Sequence, residues 1–131
     1  MKLIHMSGTR KTASARATLR EGKGVVRVNS QHITSFSTPL ARAKIMEPLL
    51  IAGDISNNLR VEIITNGGGT NAQAEAARVA VARAMVAYDK KLEKRFLEYD
   101  RQLLVPDVRH KETRKPNRHG KARAKVQKSY R

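Results

Sequence analysis

The last 22 residues of this chain, His110 to Arg131, carry nine Lys or Arg and one acidic side chain, Glu112. Half of the net charge of +16 therefore sits in this one segment. Its apolar side chains are Ala122, Ala124, Val126 and Tyr130. That is too little apolar surface to offset the entropy of ordering the backbone, so the segment cannot join a core. The fold must be built from what precedes it: residues 1–106 read as a globular body, and 107–131 as an extended basic tail. Lys or Arg recurs every two to four residues, as in Lys121-Ala122-Arg123-Ala124-Lys125, a spacing that suits a polyanion. The tail is expected to stay mobile until such a partner gives it a shape.

The body is basic as well, with 16 Lys or Arg against nine acidic residues in the first 100. A pI near 11.0 points to a phosphate backbone as partner. The longest apolar runs, Leu49-Leu50-Ile51-Ala52 and the Ala/Val-rich stretch broken by Arg83, fall far short of the roughly 20 residues of a spanning helix. Met1 to His5 has no signal-peptide core behind it, and the chain has no cysteine, which excludes disulfides and thiolate metal sites. These features predict a cytoplasmic protein.

Lys11 to Arg20 alternates strictly, with Ala13, Ala15, Ala17 and Leu19 on one face, which predicts a half-buried strand with an unusually small inner side. Glu21 to Gly24 reads as a turn, and Val25 to Asn29 as a second strand forming an antiparallel hairpin with the first. Thr38-Pro39 reads as a helix start, with a break expected at Glu47-Pro48 and a second short helix ending at Gly53. Leu59 to Thr65 is the third predicted strand. Thr70 with Gln73 predicts a capping box opening an Ala-rich helix to about Ala87, and Asp89 to Tyr99 continues as helix. The order gives an α/β (α+β) two-layer sandwich, helices packed on one small sheet.

The first basic cluster, Gly8 to Arg16, puts Arg10, Lys11, Arg16 and the Thr12 hydroxyl where a loop enters a strand, a composition suited to phosphate contact. Gly67-Gly68-Gly69 before a helix is either a tight strand-to-helix turn or a backbone cradle for phosphate. It lacks the Gly-Lys-Ser/Thr of a P-loop and the third Gly of a dinucleotide fingerprint, so nucleotide catalysis is disfavoured. His5, His32, His110 and His119 are scattered with no ligand-spaced partner, and no carboxylate pair suits acid–base work. No catalytic, metal or cofactor site is expected. Arg78 and Arg83 are read equally as RNA ligands or as a wet helix face. The few aromatics do not form a strand-borne stacking pair, so recognition by shape and phosphate is expected over base readout.

Taken in order, these motifs resemble one family, ribosomal protein nine of the small subunit. The resemblance rests on Gly8 to Arg16, Gly22-Lys23-Gly24, Val28-Asn29, Glu47-Pro48-Leu49-Leu50, Gly67-Gly68-Gly69, Gln73-Ala74, Arg78, Ala82-Arg83-Ala84, Asp107-Val108-Arg109 and the ending Gln127 to Arg131. It implies a body like domain two of the fifth small-subunit ribosomal protein, and a place in the subunit head against ribosomal RNA and neighbouring head proteins. On charge and placement, the body is expected to touch that RNA through Arg10, Lys11, Thr12, Arg16 and Gly67 to Gly69, and the tail through Arg109, Arg114, Lys115, Arg118, Lys121, Arg123 and Lys125. The tip, Lys128, Ser129, Tyr130 and Arg131, would approach the transfer RNA in the peptidyl site. Bacterial members end Ser-Lys-Arg. The Ser129-Tyr130-Arg131 ending resembles the archaeal and eukaryotic branch, and Tyr130 offers stacking or a hydrogen bond in place of a cation.

Overall fold

The computed structural model describes residues 2–123. Five strands form one mixed sheet: β1 (Ile4–Arg10), β2 (Ala13–Glu21), β3 (Val26–Val28), β4 (Gln31–His32) and β5 (Leu59–Asn66). Their spatial order is β1-β2-β5-β3-β4. Helices α1 (Pro39–Ala52), α2 (Asp54–Asn57), α3 (Thr70–Tyr88) and α4 (Lys91–Tyr99) complete the body. The result is the expected α+β sandwich, helices on one side of a small sheet.

The alternation in β2 turns Ala13, Ala15, Ala17 and Leu19 inward, all at most 1% exposed. Opposite them on β5 lie Leu59, Val61, Ile63 and Thr65, and across the interface α3 buries Ala74, Ala76, Ala77, Ala80 and Ala84. Small side chains on both layers let helix and sheet approach closely. The limit is reached at Gly8 of β1, where a Cβ would stand 2.3 Å from the Ala76 carbonyl oxygen. Larger groups, Phe96 and Leu92 of α4 with Met85 and Leu103, fill the far end of the core.

Three sequence expectations need correction. β2 and β3 are not a hairpin: β5 lies between them, antiparallel to β2 over Ser14↔Asn66 to Glu21↔Leu59 and parallel to β3 over Val26↔Val61 to Val28↔Ile63. A three-residue β3 cannot compete with the eight pairings that β5 offers β2. A parallel neighbour needs a crossover, and α1 supplies it. The Gly22–Gly24 stretch instead carries the chain past the start of β5, where the Gly22 N–H donates to Asn58 C=O at 2.9 Å. Second, α1 runs unbroken through Pro48. Thr38 caps it as expected, its Oγ1 accepting from the Ala41 N–H at 3.3 Å. The Pro48 ring is fully buried on the face that carries Ala41, Ile45, Leu49 and Ala52, and this burial offsets the hydrogen bond that proline removes from the Lys44 carbonyl. The helix ends at Ala52 on Gly53 (φ +67°), and the short α2 follows instead of preceding it. Third, β1 is a strand that alternation does not reveal, because its inward positions are Ile4, Met6, Gly8 and Arg10.

Candidate nucleic-acid interface

Two motifs far apart in sequence meet at one end of the sheet. β1 and β2 pair up to Arg10↔Ala13, which leaves Lys11 and Thr12 as the whole turn. Lys11 is left-handed (φ 53°), and both side chains are exposed. The glycine loop lies directly against this turn. A Cβ on Gly67 would come 2.7 Å from Thr12 C=O, and one on Gly68 would come 2.9 Å from the Ala13 Cβ. Both residues also have positive φ, +72° and +63°, so glycine is required twice over. Gly69 has open space around it and is the N-cap of α3.

The expected capping box is absent, because Thr70 lies inside the helix and no side chain caps it. Gln73 instead holds the glycine loop. Its Nε2 donates to Gly67 C=O at 3.0 Å, and its Oε1 accepts from Thr65 Oγ1 at 3.4 Å. Asn29, in the left-handed turn after β3, continues the chain of contacts. Its Nδ2 donates to Thr65 Oγ1 at 3.0 Å and its Oδ1 accepts from the Thr65 N–H at 2.9 Å. Side chains of β3's turn, β5 and α3 thus fix the loop's shape. The first amide groups of the 19-residue α3 are left facing outward with the positive end of its dipole.

The cations divide sharply by what they touch. Arg10 points inward, 15% exposed, with Nε 2.7 Å from Glu75 Oε2 and Nη2 3.6 Å from Asp107 Oδ2. Glu75 also takes Lys44 at 3.1 Å. Burial works against ionisation of Glu75, but the hydrogen bonds from Arg10 and Lys44 outweigh it and lower its pKa. Asp107 is held well below the usual carboxylate range, first by the Arg109 side chain, then by the Arg109 amide, with Arg10 adding to both. Arg78 binds Glu47 at 2.5 Å and Asp100 at 3.1 Å. Arg83 donates to Leu104 C=O at 3.2 Å and to Ser7 C=O at 3.0 Å. Of the two readings of Arg78 and Arg83, the structure places both in internal contacts. The ion pairs of Arg10, Lys44, Arg78 and Arg109 line a groove of about 760 Å³ among α1, α3 and the base of the tail. Its charges largely satisfy one another, the arrangement of a brace between elements and not of a reaction centre.

Lys11, Thr12 and Arg16 face outward, and Lys11 and Arg16 have no acidic partner among the described residues. Beyond Asp107 the described tail has no helix or strand. Arg109 pairs with Asp107, while Lys115 and Arg123 share Glu112 at 3.7 and 3.2 Å. The Lys115 N–H donates to Lys121 C=O at 3.0 Å, folding 115–121 into a loop. Lys121 comes close enough to Lys111 to lower the pKa of that ammonium. Arg114, Arg118 and Lys121 are exposed, without acidic partners among the described residues. Lys125, Lys128, Ser129, Tyr130 and Arg131 lie outside the described residues. Among those described, no group of three or more His, Asp or Glu could hold a metal ion, and no helix is long and apolar enough to cross a membrane.

A family profile described as "Ribosomal protein S9/S16" matches residues 8–131. The chain belongs to that family. It is 43% identical, over the full length of both chains, to "Small ribosomal subunit protein uS9" of Methanococcus maripaludis (strain C7 / ATCC BAA-1331). It is 42% identical, again over all of both, to the protein of that name from Methanococcus vannielii. Membership in the S9 family makes it a structural ribosomal protein and not an enzyme, of the archaeal type that its ending suggests. What sequence reasoning missed at this interface is the Asn29–Thr65–Gln73 relay behind the glycine loop. No pattern announces it, because its members sit on three separate elements and meet only once β5 is inserted between β2 and β3.

Proposed function

We propose that the chain docks onto ribosomal RNA in the head of the small subunit of the cytoplasmic ribosome, with neighbouring head proteins around it. The observation that carries this reading is the meeting of the Lys11–Thr12 turn and the Gly67–Gly69 loop at the N-terminus of α3. An exposed cation, a hydroxyl and outward amide groups together make a phosphate seat, with Arg16 one step along the strand. Arg10 serves this seat from behind, fixing the hairpin to α3 and to the base of the tail.

Residues 1–106 act as the docking body and 107–131 as a separate tail. Arg109, Arg114, Lys115, Arg118, Lys121, Arg123 and Lys125 neutralise phosphates along the tail's path. Lys128, Ser129, Tyr130 and Arg131 end beside the transfer RNA of the peptidyl site. Crosslinking in purified cellular particles, with the attached nucleic acid sequenced, tests both parts. Crosslinks from the body to head-region ribosomal RNA and from residues 128–131 to transfer RNA are expected. Crosslinks scattered over DNA or unrelated RNA would replace the reading with a general nucleic-acid compactor.

A further inference from the structure

The helices cover one face of the sheet and leave the other bare. Outward from β2 project Ser14, Arg16, Thr18 and Arg20, from β1 His5, Ser7 and Thr9, and from β5 Ile64 and Asn66, most of them exposed. The only acidic side chain on these strands' outer face inward of the Glu21 strand end is Glu62, and it is occupied by Arg60 at 2.6 Å and Arg20 at 3.7 Å. Arg16 and Arg27 are exposed and have no acidic partner within salt-bridge distance among the described residues. Register places Arg16 against Ile64, and Thr18, Glu62 and Arg27 in the next row. With strands near 4.8 Å apart and a rise near 3.3 Å per residue, the two free arginines stand roughly 12 Å from each other across the face. Between them on β5 sit Glu62, beside Arg27 and held by Arg60 and Arg20, and Ile64, beside Arg16 and 64% exposed.

We infer that this bare sheet face is a second RNA-docking surface, seated on the shallow minor groove of a ribosomal RNA double helix. It rests on the ribosomal RNA reading above, shares Arg16 with the phosphate seat described there, and extends that reading across the sheet to Arg27 and to a ligand class. The positive charge left after Glu62 is satisfied complements phosphate. The chemistry selects duplex over single strand. Unpaired bases are gripped by stacking, and this face offers no Phe, Tyr or Trp, while the rings of its two histidines, His5 and His32, are tied to Thr18 Oγ1 at 2.9 Å and to Thr34 Oγ1 at 3.0 Å. A-form minor grooves are wide, shallow and lined by 2′-hydroxyls. A flat face of Ser and Thr hydroxyls meets those groups as donor and acceptor, with Arg16 and Arg27 set apart to reach phosphates and Ile64 resting on ribose.

The chain has no cysteine, so a single Ser14→Cys carries an iron chelate for hydroxyl-radical cleavage from the bare face of protein assembled into small subunits. Ala43→Cys, exposed on α1, does the same from the helix side. Cuts from position 14 on both strands of one ribosomal RNA helix, offset across its minor groove, are the expected result. Cuts from position 43 alone, or a protein crosslinked to position 14, would overturn this surface and leave the ribosomal reading standing. No RNA cuts from either position would overturn both. In solution the full chain with R16A and R27A together should bind a short RNA duplex with a salt slope shallower by about two, since each phosphate contact contributes about 0.9. An equal loss on a single strand of the same length would remove the minor-groove assignment.

Discussion

Glycine at position 68 answers two constraints that no other residue meets: a left-handed backbone and a neighbouring Ala13 Cβ where its own would be. Gly68→Ala should therefore lower stability by about 1–3 kcal/mol, read as the midpoint and slope of urea unfolding. Gly69→Ala, with open space and an ordinary φ of −106°, should lose under about 1 kcal/mol, the preference of a cap for glycine over alanine. Equal losses at the two positions would contradict the packing described for the hairpin turn. The same scale carries a pH effect. Glu75 and Asp107 both have pKa values lowered by arginine or lysine neighbours. A depressed folded pKa contributes stability that is complete above the unfolded value, near 4, and is lost as pH falls below it. The acid limb of a stability–pH curve should begin there, and Asp107→Asn should flatten it; an unchanged acid limb in that variant would mean that Asp107 is not paired in solution.

Arg78 links elements: one guanidinium on α3 holds Glu47 of α1 and Asp100 just past α4. Arg78→Ala leaves two half-buried carboxylates facing each other, and a loss of about 1–3 kcal/mol is expected, smaller than for a fully buried pair because both acids reach water. Thermal unfolding of this variant beside Arg83→Ala measures how far the braces differ. At this scale the sequence was uneven as a guide. β2, β5, α3 and α4 each have a periodicity or a composition that depends on their own residues alone, and all were legible. β1 was not, because its inward side is set by α3: Gly8 makes room for the helix backbone and Arg10 reaches for Glu75. Nor was the placing of β5, since Val25 to Asn29 looks equally fit to pair with β2. Pro48 misled because the rule that breaks a helix there weighs a local hydrogen bond and takes no account of burial on the far side. At the interface, charge spacing picked out Lys11, Thr12 and Arg16 as well as Arg10. Only the fold separates the exposed three from the arginine that is engaged inside.

For the molecule as a whole, body and tail are tied by Asp107 between Arg10 and Arg109, the last contact among the described residues in which the tail meets a side chain of the sheet. Truncation after Arg109 should leave the thermal midpoint of the body nearly unchanged while weakening RNA binding and flattening its dependence on salt. Incorporation into subunits and a binding series in potassium chloride measure both; an unaltered salt slope would remove the tail from the phosphate count. The strand order has a further consequence, one of timing. The sheet's central strand, β5, is made after all four of the others, and α1 must be synthesised before it. Until Asn66 has left the exit tunnel, β2 lacks its inner neighbour and β3 has only the two-residue β4, and the alanine-rich face of β2 stays uncovered until α3 has followed. Folding is then delayed to late events, the insertion of β5 between two waiting strands and the packing of α3 over them. A substitution in β5 should therefore slow the maturation of the nascent protein more than its effect on the finished one suggests.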